Sequence, residues 1–66
     1  MGVLGTIKAR RVMLGLTQED LAEMAGVSLA TIKDIDRGVG NPSLHILEKI
    51  AEVLGMEIQV NAKRLI

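Results

Sequence analysis

Apolar residues recur along this chain with two different periods, and the change of period divides it. Ile7, Arg11 and Leu14 stand at i, i+4 and i+7, one face of a helix that Thr6 can cap and Gly15 stops. Residues 1–5 precede it as a frayed start. A second short helix opens after Thr17, another capping residue, and carries Glu19 and Asp20 in its first turn, where carboxylates suit the positive helix end. Its apolar residues Leu21, Ala22, Met24 and Ala25 fall mostly on one face. Gly26 marks a bend. A third helix starts at the cap Ser28, turns Val27, Ile32 and Ile35 to a common inner side, and closes at Arg37 and Gly38. The loop Gly40-Asn41-Pro42 follows. Ser43 then caps a longer helix whose stripe is Leu44, Leu47, Ile50, Ala51 and Leu54, ended by Gly55. From there the period drops to two: Met56, Ile58, Val60 and Ala62 alternate with Glu57, Gln59, Asn61 and Lys63, the pattern of a strand.

The predicted class is therefore all-α with one C-terminal β-strand, in a single domain over 1–66: a helical body at 5–55 and a strand at 56–65. A lone strand leaves its backbone groups unpaired, and nothing else in the chain reads as its mate. The simplest solution is the same segment of a second copy, antiparallel across a twofold axis. Met56, Ile58, Val60 and Ala62 are then the dimer strand, with a helix or a loose tail as the other reading of the stretch.

Two short helices joined by about three or four residues around a glycine read as a helix-turn-helix. The stretch that carries it, TQEDLAEMAGVSLATIKDIDRG, resembles the lambda-repressor-like (Cro/repressor, XRE-type) DNA-binding domains. The resemblance lies in Thr17-Gln18, Leu21-Ala22, Gly26-Val27-Ser28, Thr31-Ile32, Ile35 and Arg37-Gly38, and extends over roughly residues 5–55. It implies a compact fold of four to five helices, with the helix that begins at Ser28 lying in the major groove of double-stranded DNA. The ATI of Ala30-Thr31-Ile32 and the LGMEIQV of the tail are also similar to HipB-like antitoxins, some of which end in a shared strand pair.

The resemblance also assigns residues. It pairs Arg11 with Asp36, which answers the need of a charged residue inside an apolar stripe for a partner. It places Leu29, Ala30, Lys33 and Asp34 at base edges, with Thr31 nearby. Many relatives carry Arg, Gln or Ser where Leu29 and Asp34 stand. Leu29 and Ala30 can touch thymine methyls, Lys33 can reach guanine acceptors, and Asp34 can accept from cytosine or repel a phosphate. Part of the reading then falls to DNA shape. Phosphate contacts are expected from Gln18 at the start of its helix, from Ser28, from Arg37 and from Asn41 with its loop amides. Arg37 has a second reading as compensation of the helix C-terminus, and Lys33 as a solvated helix residue. Arg10 and Lys8 are expected to point outward, either as a solvated helix face or toward phosphates.

Composition changes this picture in three ways. With 66 residues, the chain buries only about 60% of its unfolded surface, and having no cysteine it has no disulfide or thiolate–metal staple. Its core must come from aliphatic residues and methionine, since there is no Phe, Trp or Tyr. At 48% apolar it carries more hydrophobic surface than so small a body hides, which again favours association. Eight basic against eight acidic residues give zero net charge, a mild argument against nucleic acid, although Lys8, Arg10 and Arg11 cluster near the start.

These features favour a homodimeric transcriptional regulator, a repressor that occupies its operator. An antitoxin that also binds a toxin protein, and a dimerisation module without DNA binding, are the alternatives; neutral charge and Asp34 speak for the second. No acid–base or nucleophile constellation is present, so no enzyme, cofactor or metal is expected, and the single His45 reads as a surface residue. Neither a membrane span nor a signal-peptide pattern occurs, and a cytoplasmic protein is expected.

Overall fold

A computed structural model describes residues 2–59 and 62, and contains four helices: α1 (Val3–Met13), α2 (Gln18–Ala25), α3 (Leu29–Asp36) and α4 (Leu44–Val53). Three of the four begin at a hydroxyl side chain. Thr17 accepts from the Asp20 amide at 2.9 Å while the Asp20 carboxylate accepts from the Thr17 amide at 3.0 Å, a reciprocal capping box. Ser28 and Ser43 accept from the Thr31 and Ile46 amides. Each bond satisfies a donor that the first helical turn leaves orphaned.

The start of α1 differs from the expected one. The helix begins at Val3, with Gly2 as an N-cap that makes no side-chain bond, and Thr6 lies inside it. The Thr6 hydroxyl donates to the Gly2 carbonyl at 3.0 Å, which lets a would-be capping residue sit in a helix interior. Leu4 packs on the core and gives the additional turn a reason to form.

The core consists of Ile7, Leu21, Ala22, Ala25, Ile32, Ile35, Ile50, Ala51 and Leu54. It forms where α3 packs against α1 and α2, and where α4 packs against α2. Three apolar residues expected on inner stripes are exposed instead. Leu14 is 44% exposed because α1 has already ended at Met13, and Leu16 takes the inward place after the turn. Met24 is 59% exposed: the eight-residue α2 buries the narrow stripe Leu21, Ala22 and Ala25, and Met24 falls beyond its edge. Leu44, 54% exposed, is the first residue of α4, and Ile46 and Leu47 one turn later make the contact instead.

Between α2 and α3 the chain turns at Gly26, whose φ of 68° and ψ of 37° are left-handed. A side chain there would strain the backbone, which is why a glycine stands at the bend. Arg10, expected to point outward, instead donates from Nε to the Leu54 carbonyl at 2.9 Å, tying α1 to the end of α4. The carbonyls of a final helical turn lack partners, and a guanidinium is well suited to supply one.

Beyond α4 the Met56 amide donates to the Ala51 carbonyl at 2.9 Å, and the Met56 side chain packs on the core. Ile58 is half-buried while Glu57 and Gln59 are exposed, so the two-residue alternation is realised over these four residues. No strand is formed among the described residues; Val60 lies outside them, and Ala62 is exposed. No helix among them is long and apolar enough to cross a membrane.

Candidate nucleic-acid interface

Packing divides α3 into two sides. Ile32 and Ile35 are each 1% exposed and face α1 and α2, and half-buried Leu29 packs against the same cluster. Ala30, Lys33 and the capping Arg37 are exposed on the other side, with Thr31 and Asp34 half-buried at its edge. Gln18, the first residue of α2, completes an open cleft of about 420 Å³ with Ala30, Lys33, Asp34 and Arg37. A second cleft on the far side of Asp34 is bounded by Thr31 and by the loop that contains Gly40, Asn41 and Pro42.

Leu29 is therefore shared between core and surface, and Ala30 is the freer apolar contact. Lys33 makes no ion pair among the described residues, so its ammonium is available. Arg37 and Asp34 form an exposed pair, Nη2 to Oδ1 at 2.5 Å. Such a pair in water contributes little to stability, about 0–1 kcal/mol, and can open readily. Ser28 and Thr31 hydroxyls lie 2.8 Å apart at the helix start.

Behind this face lies a polar cluster. Arg11 Nη2 meets Asp36 Oδ2 at 2.6 Å with both side chains mostly buried, and Arg11 Nη1 donates to the Leu16 carbonyl at 2.7 Å. The same Oδ2 accepts from Gln18 Nε2 at 2.8 Å. One amide hydrogen of Gln18 is thus committed inward; the nitrogen carries a second, and the carbonyl oxygen remains an acceptor. Arg11 Nε is buried with no partner among the described residues.

Two contributions carried no sequence signal. Lys49 of α4 donates from Nζ to the Gly26 carbonyl at 3.1 Å and so braces the turn of the motif. Arg10 at Leu54 acts in the same way. Both join a side chain to a backbone carbonyl remote in sequence, and neither periodicity nor charge pattern reports such a bond. At Asp20 the capping bonds with Thr17 hold the carboxyl below its ordinary value. His45 is exposed.

A helix-turn-helix family model matches residues 7–61. The chain is 47% identical over 51 residues to an uncharacterised HTH-type transcriptional regulator of Methanothermobacter thermautotrophicus, an alignment covering 77% of this chain and 74% of that one. A similar regulator of Methanocaldococcus jannaschii is 45% identical over 53 residues, 80% of each chain. The immunity repressor protein of Bacillus phage phi105 is 46% identical over 52 residues, 79% of this chain and 36% of the repressor. With α2, the Gly26 turn and α3 all inside the matched span, the chain belongs to the XRE-type helix-turn-helix family.

Proposed function

We propose that the protein is a sequence-specific DNA-binding transcriptional regulator, a homodimeric repressor that lays the outward side of α3 in the major groove. The observation that carries this reading is the free side of α3: packing uses Ile32 and Ile35 and leaves Ala30 and Lys33 exposed with no role in the fold. The HTH-type regulators and the phage immunity repressor among its relatives support it.

Ala30, with Leu29 at its margin, supplies apolar contact to thymine methyls, and Thr31, Lys33 and Asp34 supply polar contacts to base edges. Gln18, through its second amide hydrogen, joins Ser28, Arg37 and Asn41 in holding phosphates and fixing the register. The tail at 56–65 pairs with its counterpart in a second copy: Met56 and Ile58 are half-buried while Glu57 and Gln59 are exposed, an alternation that supports this reading, and the pairing itself would form the strand and supply its hydrogen bonds. The twofold then presents two copies of α3 to half-sites about one helical turn apart. The site of action is the cytoplasm.

Enrichment of duplex sites from a random pool by the purified protein, with its mass in solution measured alongside, tests this reading. A palindromic consensus and a dimer mass are expected. Lys33→Ala should weaken binding by about 1.4 kcal/mol, roughly tenfold, in a titration at low salt; unchanged affinity would remove Lys33 from the interface. Failure to enrich any sequence would select a protein-interaction module, and a second protein that copurifies would move the reading to an antitoxin.

A further inference from the structure

We infer that Asp34 is a specificity-determining residue that demands cytosine at one position of each half-site, with Arg37 as its counter-ion in the free protein. The inference rests on the DNA reading proposed above and adds to it the base that is read.

Asp34 lies one turn beyond Ala30 on the outward side of α3 and borders both clefts of that surface. Its side chain is 46% exposed, too open for a purely internal role, and it lines the cleft with Ala30, Lys33 and Arg37 that would meet the bases once α3 enters a groove. Oδ1 takes the Arg37 guanidinium, whereas Oδ2 has no hydrogen-bond partner among the described residues. Arg37 is itself 69% exposed at the C-cap of α3. A backbone phosphate competes for the same guanidinium, and charge-assisted pairs of Arg with phosphate are strong. When Arg37 turns to the phosphate, both carboxylate oxygens of Asp34 are left facing base edges in a surface that is losing water.

An ionised carboxylate only accepts hydrogen bonds, so the pocket it faces must donate. Guanine offers N7 and O6, both acceptors, and thymine offers O4 with a methyl; each repels or excludes the carboxylate. Adenine has an N6 donor but carries the N7 acceptor beside it, which opposes the second oxygen. Cytosine presents its N4 amino group with only a C–H on the side away from its paired base. It is the base that satisfies Asp34 without a clash. Much of the discrimination comes from penalty, since a wrong base leaves a desolvated charge unpaired. Arg37 gives the free protein a resting partner for that charge.

The test is site selection from one random duplex pool with the full chain as wild type, Asp34→Asn and Asp34→Ala. Thermal melts of all three verify folding, since the position is exposed. The wild type should enrich cytosine at one position of each half-site, by about tenfold or more over the other bases. Asp34→Asn should move that position to adenine, whose N6 and N7 match an amide's acceptor and donor. Asp34→Ala should lose the preference and bind unrelated DNA more tightly, because Arg37 is released. An identical base profile in all three proteins would overturn the inference and leave DNA binding standing. No enrichment by any of them, wild type included, would overturn the DNA reading beneath it and this inference with it.

Discussion

Asp36 accepts two hydrogen bonds on a single oxygen, from Arg11 of α1 and from Gln18 of α2. Removing that carboxylate leaves a guanidinium whose side chain is 12% exposed, with Nε already without a partner among the described residues. Losing one member of a buried pair costs about 3–5 kcal/mol, so Asp36→Ala should lower the urea midpoint sharply or prevent folding. Asp36→Asn keeps an acceptor for Gln18 and should lose less; equal stability of the wild type and both variants would show that the cluster contributes nothing. At this scale the sequence is legible where a residue breaks a pattern. Arg11 is visible as a charge inside an apolar stripe, although the stripe does not name Asp36, which came from family resemblance. Arg10 breaks no pattern, and its partner is a carbonyl 44 residues away.

The ends of α2, α3 and α4 follow from local chemistry. A hydroxyl at the cap and amides within three residues settle each start, and that is the range over which a sequence can be read directly. The beginning of α1 depends on Leu4 finding the core, a tertiary contact without a local marker. For α2 the capping box gives a pH dependence. The Asp20 carboxyl is held below its ordinary 3.8 by Thr17, so the folded form favours its charge. A depressed folded value means this contribution is complete above the unfolded pKa and is lost as pH falls through the folded one. Thr17→Ala removes the hydroxyl cap and should cost about 1 kcal/mol, but it keeps the backbone amide that is the larger cause of the shift. Asp20→Ala should be less stable than wild type at neutral pH, and that difference should narrow in acid below 3.8, measured by thermal melts across that range. The turn between α2 and α3 makes a separate demand. Gly26→Ala places a Cβ only in ordinary contact with Lys49, 3.7 Å from Nζ, so its cost is the left-handed backbone, about 1–2 kcal/mol in a denaturant titration.

For the whole molecule, the charge balance matters more than any one contact. Arg10 and Arg11 are committed to internal bonds, and Lys49 to the Gly26 carbonyl, which leaves Lys33 and Arg37 as the cations of the proposed reading face. With Lys33 at base edges and one Arg37 per copy on phosphate, a dimer neutralises about two phosphates, and log affinity should fall with log salt at a slope of about −2. A much steeper slope would mean that other cations take part. The basic cluster near the chain start suggested a charged surface, but two of its three members turn inward, and that becomes visible only once α1 meets Leu54 and Asp36. Truncation after Met56 keeps the residue that packs on the core and removes the rest of the tail. It should yield a folded monomer by mass with much weaker operator binding; a dimer of undiminished affinity would place the interface elsewhere.

The bond from Arg10 to Leu54 bears on the proposed assembly as a matter of measurement. Gly55, at a φ of 68°, leaves α4 beneath that guanidinium, with Arg10 Nη2 3.6 Å from where a Cβ would stand. The bond and the left-handed Gly55 together set the direction in which the chain leaves α4. One extra residue inserted after Gly55 would invert the tail, bringing Glu57 and Gln59 toward the protein and turning Met56 and Ile58 to water. The gauge between two reading heads would then no longer fit the pitch of a duplex.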